Sequence, residues 1–328
     1  MFSGISTISF AACYVIAFAL EFLGLKVRFA WHRAALVVVT LAGLAAHTLY
    51  LSHIAGDATA LPVSTVEWLL LAAWVMAIIY FAALFYMPRS AVGIVLLPIV
   101  LGLIASSLWA SPKPLAPERS FYAWSMFHGI VLLLGAVAVC IGFLAGLMYL
   151  VQSYALKHIR SAANLLRLPS LEWLERVNSR ALGLSAVLIA LGFISGIVMA
   201  LAAHRGEAAY HLWADPVVLS LAAMLAWLVG AEIFRLVYPA ARRGRKVAYL
   251  TLASFVFLVI ALASLMLLDN VHGANKHSTT TQTLNIDSQA ATSKNYITWP
   301  SNVFAQEDAE EAESEFTSSL LPLRPPVQ

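Results

Sequence analysis

The sequence contains nine histidines. Seven of them fall near or beyond those ends of the hydrophobic segments that are predicted to share one face of a membrane. These seven are His47, His53, His128, His204, His211, His272 and His277. Only His32 and His158 fall near the opposite ends. Imidazole is the side chain best suited to ligating haem iron at a membrane surface. The asymmetry therefore predicts a ligand-binding function at one face of a membrane.

Three segments combine these histidines with aromatic or acidic residues. They are Phe121–Gly129 with Trp124 and His128, Tyr210–Pro216 with His211, Trp213 and Asp215, and Asp269–His277 with His272. A bound haem needs one or two axial nitrogen ligands, a flat apolar or aromatic surface, and donors for its propionates. We expect His128 and His272 to supply axial ligands from opposite sides, and Trp124 and Trp213 to form the surface. The predicted cofactor is a b-type haem (heme b).

Each of these residue types also has a simpler interpretation. Tryptophan at a membrane interface is commonly a belt residue, which applies to Trp68 and Trp124. A single interfacial histidine such as His53 is commonly a polar cap. Asp215 before Pro216 is typical of a helix N-cap followed by proline in the first turn. No HxxxH or HxH spacing places several histidines on one helix face, which disfavours zinc.

The composition excludes a water-soluble globular domain, since 61% of residues are hydrophobic and 11% are charged, with a mean hydropathy of +0.82. A helix needs about 20 mostly apolar residues to cross the bilayer. Eight stretches qualify, and they predict an all-α, polytopic membrane protein with eight transmembrane helices and no nucleic-acid partner. Their ranges are 4–24, 34–55, 66–86, 91–109, 123–152, 181–203, 216–238 and 247–268.

Basic residues set the predicted orientation. Lys and Arg are concentrated between spans one and two, three and four, five and six, and seven and eight, while the alternate loops hold few. The positive-inside rule makes the basic loops cytoplasmic, and the even number of spans then places both termini outside. No Lys or Arg precedes Lys26, so the first stretch is predicted to be a retained span. The predicted location is the inner (cytoplasmic) membrane of a bacterium.

The residues after the last span differ in composition from the rest. Residues 269–328 hold eight acidic residues and three Lys or Arg, with an acidic run from Glu307 to Glu315. This composition predicts a mostly disordered extracytoplasmic tail beside a transmembrane domain of residues 1–268. The acidic run is either solvated or in contact with a basic partner.

Few side chains within the spans offer other chemistry. Cys13 and Cys140 lie in apolar spans without a CxxC or CxxCH motif, which excludes a dithiol oxidoreductase or a c-type cytochrome. Glu21 is near one end of span one, and Glu232 and Arg235 have the spacing of a local ion pair. A proton-driven pump would need more buried charge. The apolar interior favours a protein that holds its ligand at the membrane surface.

Two stretches and one residue pair resemble the haem-handling cytochrome c assembly proteins, a family with CcmC-, CcsA- and HemX-like members. The stretch LPSLEWLERVNSR at 168–180 is similar to the LPPLExLExxxxR linker of the HemX-like branch. The stretch WADPVVLSLAAMLAW at 213–227 is similar to the family's WDPKxxxSLxxW loop. Val217 replaces the family's lysine, which favours the HemX-like branch. His128 and His272 match the two external histidines that bracket the loop, and the resemblance covers roughly residues 60–275.

This resemblance implies a haem-binding membrane protein in cytochrome c biogenesis. It would present haem at the outer face for attachment to an apocytochrome c by a partner cytochrome c synthase, and no enzymatic activity of the chain alone is implied. The predicted haem-binding residues are His128, His272, Trp213, Asp215, His211 and Trp124. The alternative is a membrane permease or regulatory protein that uses the same scaffold without haem.

The linker Lys157–Arg180 is predicted to contain a short amphipathic helix that begins near Ser170 and lies on the inner surface. Its apolar positions recur at helical spacing, at Leu171, Leu174 and Val177. We expect a structural role for it.

Overall fold

The structure is a computed structural model, and it describes residues 7–25, 31–57, 64–87, 90, 92–110, 122–158, 169–203, 215–238 and 245–267. Eight helices make up the regular structure of these residues, which confirms the all-α class. They are α1 (Thr7–Gly24), α2 (His32–Asp57), α3 (Thr65–Tyr86), α4 (Gly93–Ser107), α5 (Tyr122–His158), α6 (Leu171–Ala203), α7 (Pro216–Val237) and α8 (Arg245–Leu267). All eight belong to one compact unit. The tail 269–328 lies outside the described residues.

Seven of the described helices are long and apolar enough to cross a membrane, so the chain is a multi-pass membrane protein. The exception is α4, which has 15 residues and contains Pro98. At 1.5 Å per residue it spans about 22 Å, less than the hydrocarbon core of about 30 Å. The prediction of eight full-length spans is therefore confirmed for seven helices and corrected for residues 91–109.

Contacts between helices show that α1 and α2 run in opposite directions, and that α2 and α3 do so as well. Near the end of α1, the Leu20 carbonyl lies 2.8 Å from Nε2 of His32 at the start of α2. Arg33 in turn donates to the carbonyl of Leu84 near the end of α3. We call the end of the bundle that holds the starts of α3, α5 and α7 the His128 end. The opposite end, where α1, α3, α5 and α7 finish, is the Glu21 end.

Small residues allow α5 to approach α8 closely. Gly142 and Gly146 form a G-x-x-x-G pair on α5. A Cβ atom at Gly146 would lie 2.7 Å from Thr251 Oγ1 and 3.3 Å from the backbone of Ala248. Helices in a bilayer gain little from the hydrophobic effect, so close packing of this kind holds them together.

The helix predicted within the linker begins where expected, near Ser170, but it is longer than predicted. Ser170 Oγ accepts a hydrogen bond from the backbone of Trp173 at 3.4 Å, and the helix begins at Leu171. It does not end before span six: α6 is one helix of 33 residues. The reason is that no glycine or proline interrupts residues 171–182, so nothing breaks the helix. The prediction of a separate short helix is therefore wrong.

Polar groups at the Glu21 end link α6 to α7. Arg235 Nη1 lies 2.6 Å from Glu232 Oε1, which confirms the predicted ion pair. The same guanidinium donates to the carbonyl of Ser179 on α6 at 3.1 Å and to its hydroxyl at 2.6 Å. Arg235 therefore forms an ion pair within α7 and also connects α7 to α6.

Candidate functional site

The structure describes three of the six predicted haem-binding residues, Trp124, His128 and Asp215. The other three, His211, Trp213 and His272, lie outside the described residues. Trp124 and His128 lie one turn apart on α5, and Asp215 lies at the start of α7. All three therefore belong to the His128 end of the bundle.

His128 is oriented by a hydrogen bond to α6. Its Nδ1 atom lies 2.9 Å from the carbonyl oxygen of Gly192. Because a carbonyl oxygen can only accept, Nδ1 carries the proton and the lone pair of the ring lies on Nε2. Metal-ligating histidines commonly use this arrangement, in which one ring N–H is donated to a carbonyl and the other nitrogen binds the metal. His128 is therefore held in one orientation, with the proton on Nδ1.

Two glycines of α6 make room for the side chains of His128 and Leu132 on α5. A Cβ atom at Gly196 would lie 2.7 Å from Cε1 of His128, and one at Gly192 would lie 2.4 Å from the side chain of Leu132. A larger residue at Gly196 would displace the imidazole, and one at Gly192 would displace the Leu132 side chain. The G-x-x-x-G spacing of Gly192 and Gly196 was the signal in the sequence for this close approach.

Aromatic side chains flank His128 on α5. Trp124 is 45% exposed and Phe127 is 49% exposed, and their ring centroids lie 6.0 Å apart. The indole N–H of Trp124 donates to the carbonyl of Ser195 at 3.1 Å, so this ring is held in place. Trp124 can therefore be a belt residue and also part of a fixed apolar surface beside the imidazole.

Trp68 is a neighbour of the site that the sequence reading assigned only to the aromatic belt. A Cβ atom at Gly129 would lie 2.4 Å from the Trp68 ring. The indole therefore packs against Gly129, the residue that follows His128 in the sequence. Ser64 is the N-cap of α3, the helix that carries Trp68. Its Oγ atom donates to the Glu67 carboxylate at 2.9 Å and accepts from the Glu67 backbone at 3.3 Å.

Asp215 is the N-cap of α7, as its sequence context predicted. Its Oδ1 atom accepts a hydrogen bond from the backbone N–H of Val217 at 2.7 Å, and Pro216 occupies the first turn. The side chain is 3% exposed. At least one carboxylate oxygen is thus engaged in holding the start of the helix.

We expect Asp215→Ala to lower the free energy of unfolding by about 1 kcal/mol, because an N–H at the start of α7 loses its acceptor. Asp215→Asn keeps an acceptor oxygen and should stay close to the parent protein. Thermal unfolding of the purified protein in detergent measures both variants. Equal melting temperatures for the alanine variant and the parent would contradict the capping role.

His47, predicted to lie near the end of a hydrophobic segment, packs against the first turns of α1. The imidazole is wholly buried and stacks on Phe10 with ring centroids 4.1 Å apart. Its Nδ1 atom lies 3.4 Å from the hydroxyl of Tyr14. Hydropathy placed His47 near the end of a span, but it could not reveal that α1 covers it.

A comparison with protein families gave one match: the family described as cytochrome C assembly protein matches residues 62–272. The matched range is more than half of the chain and contains α3 to α8. It also contains His211, Trp213 and His272, which lie outside the described residues. It does not include α1 and α2. Comparisons with curated proteins and with solved structures gave no match.

Proposed function

Because the chain belongs to the cytochrome c assembly protein family, we propose that it binds haem at the His128 end and presents it for attachment to apocytochrome c. Family membership indicates a role in cytochrome c biogenesis. The haem-binding step is our inference, and one observation carries it. The hydrogen bond from His128 Nδ1 to Gly192 leaves the lone pair of the imidazole on Nε2.

The chemistry around His128 fits haem better than it fits a bare metal ion. In the part of the chain that the structure describes, no three His, Cys, Asp or Glu side chains form a metal-binding group. Haem requires only one or two protein ligands, because the macrocycle supplies four nitrogens. The half-exposed rings of Trp124 and Phe127 are suited to its apolar face.

The proposal assigns His272 as the second axial ligand, and Trp213, His211 and Asp215 to the loop that orients the macrocycle. His272 is the last residue of the range that matches the family. In the predicted orientation the His128 end lies outside the bacterial inner membrane, where apocytochrome c presents its thiols. A synthase partner would form the thioether bonds, and the chain would act within the HemX-like branch as the haem-holding component.

Deletion of the encoding gene tests the proposal. We expect the strain to lose c-type cytochromes, visible as missing haem-stained bands and a reduced α-band in membrane spectra, and to recover them with a plasmid copy. Normal cytochromes together with altered uptake of a solute would instead support a permease on the same scaffold.

We expect Gly196→Ala to weaken haem binding by about tenfold, or about 1.4 kcal/mol, because the added methyl would overlap His128 Cε1 at 2.7 Å. A titration of purified protein with haem, followed by the Soret band, measures the affinity. Gly230→Ala is the matched control, since a Cβ atom there meets nothing within 4 Å. Equal affinities of the two variants would show that α6 does not position the imidazole.

A further inference from the structure

A buried hydroxyl at the His128 site has no hydrogen-bond partner. It belongs to Ser195 on α6, a residue that is 4% exposed, and its Oγ atom meets no donor or acceptor among the described residues. The backbone around it is part of the site. The Ser195 carbonyl accepts from the Trp124 indole at 3.1 Å, and Gly196 leaves room for the His128 ring. Native proteins contain few such unpartnered buried groups, because each one is costly.

Another serine of α6 shows what this hydroxyl would ordinarily do. A serine within a helix commonly donates back to the carbonyl three or four residues earlier. Ser185 follows this pattern: it is wholly buried, and its hydroxyl donates to the carbonyl of Leu182, three residues earlier, at 2.8 Å. The carbonyl at the same spacing from Ser195 is that of Gly192.

The Gly192 carbonyl is already occupied by two other donors. Within α6 it accepts the helical hydrogen bond from the backbone of Gly196, four residues later. It also lies 2.9 Å from Nδ1 of His128, which donates to it. A carbonyl oxygen has two lone pairs, so no acceptor remains there for the hydroxyl of Ser195. His128 and Ser195 are therefore alternative donors to one oxygen.

This competition gives the site two arrangements of similar free energy. With the imidazole on Gly192, the Ser195 hydroxyl lacks a partner. When the imidazole turns away, a rotation about the Cα–Cβ bond of Ser195 brings its hydroxyl to the same carbonyl, which then keeps both of its hydrogen bonds. One hydrogen bond is exchanged for another, so the net change is small. A ligand that favours one arrangement shifts the equilibrium towards it.

We propose that Ser195 is a positioning residue that acts on His128 through the Gly192 carbonyl and makes the imidazole releasable. This role rests on the proposed haem-binding function. A histidine that donates its Nδ1–H to a carbonyl is the better oriented and more basic ligand, so the arrangement with His128 on Gly192 is the one that holds haem. The arrangement with Ser195 on Gly192 is the one that lets haem go. A protein that passes its haem on needs both.

The exchange of donors is measurable in the haem-free protein. In the full chain labelled with ¹⁵N-histidine and kept in detergent, the Nδ1–H signal of His128 is identified by its absence in His128→Ala. We expect Ser195→Ala to slow exchange of this proton with water by about fivefold, because the released position loses the hydrogen bond that replaces it. Ser185→Ala, which removes a buried hydroxyl from the same helix, should exchange as the parent does.

The indole N–H of Trp124 separates this role from a general tightening of the α5–α6 contact. It crosses the same contact, and its acceptor is the backbone carbonyl of residue 195, which alanine keeps. Its exchange should therefore be the same in Ser195→Ala and in the parent. Equal slowing of the Trp124 and His128 protons would show that alanine only improves packing, which would overturn the proposal.

The haem-loaded protein provides the second measurement. Transfer of haem to excess apomyoglobin, followed by absorbance, should be about fivefold slower from Ser195→Ala than from the parent, and unchanged in Ser185→Ala. If the parent binds no haem, the proposed function fails, and the proton exchange of the haem-free protein still decides the role of Ser195. If the parent binds haem but Ser195→Ala changes neither proton exchange nor transfer, the role of Ser195 alone is overturned.

Discussion

Replacement of His128 by alanine is expected to remove the Soret band of the purified protein and to stop maturation of c-type cytochromes in a strain that depends on this chain. The hydrogen bond to α6 orients the imidazole and leaves its lone pair on Nε2. No neighbouring side chain on α5 can replace it as a nitrogen ligand. We expect haem affinity to fall by about a hundredfold, or about 2.7 kcal/mol. Absorbance titration and haem-stained gels measure the two effects.

Two other histidines provide controls for this experiment. His53 is exposed on α2, and His158 is the last residue of the same helix as His128. Alanine at either position should leave haem content and cytochrome levels unchanged. A clear loss in the His158 variant would reveal a second haem site at the Glu21 end of the bundle.

Chemical rescue separates a ligand from a structural residue. In His128→Gly, added imidazole can occupy the position of the missing side chain and should restore the Soret band. A protein that keeps its full haem affinity as His128→Ala, or a loss that imidazole does not reverse in a folded His128→Gly, would contradict the ligand assignment.

Local signals in the sequence predicted the features that depend on neighbouring residues. The start of α6 after Ser170 and the start of α7 after Asp215 follow from side chains that accept hydrogen bonds two or three residues away. The positions of the seven long helices follow from hydropathy, because a bilayer imposes a minimum apolar length. The same rule could not show that α4 is short, since apolar composition continues beyond the helical residues.

Contacts between distant residues could not be predicted in this way. His128 meets Gly192, 64 residues away, and Glu21 meets Tyr80, 59 residues away. Counting charged residues also understated the polar interior, because tyrosine, threonine and neutral histidine do not register as charge. The buried hydrogen bonds among α1, α2 and α3 therefore became visible only once the packing of these helices was known.

Leucine at position 146 is expected to be the most damaging single change in the helix packing. A Cβ atom there would lie 3.3 Å from the Ala248 backbone and 2.7 Å from Thr251 Oγ1. The threonine side chain can rotate, but the α8 backbone can move only if the two helices separate. We expect Gly146→Leu to lower the free energy of unfolding by about 1–3 kcal/mol, the usual cost of overpacking.

The opposite effect is expected at Gly230, where an added side chain meets nothing within 4 Å. Because glycine is about 1 kcal/mol less favourable than alanine within a helix, Gly230→Leu should be neutral or stabilising. Thermal unfolding in detergent, followed by circular dichroism, compares the two variants under identical conditions. Similar melting temperatures would mean that α5 and α8 can separate without cost. A loss confined to Gly146→Leu would mean that the glycine contact holds α5, and with it His128, in the bundle.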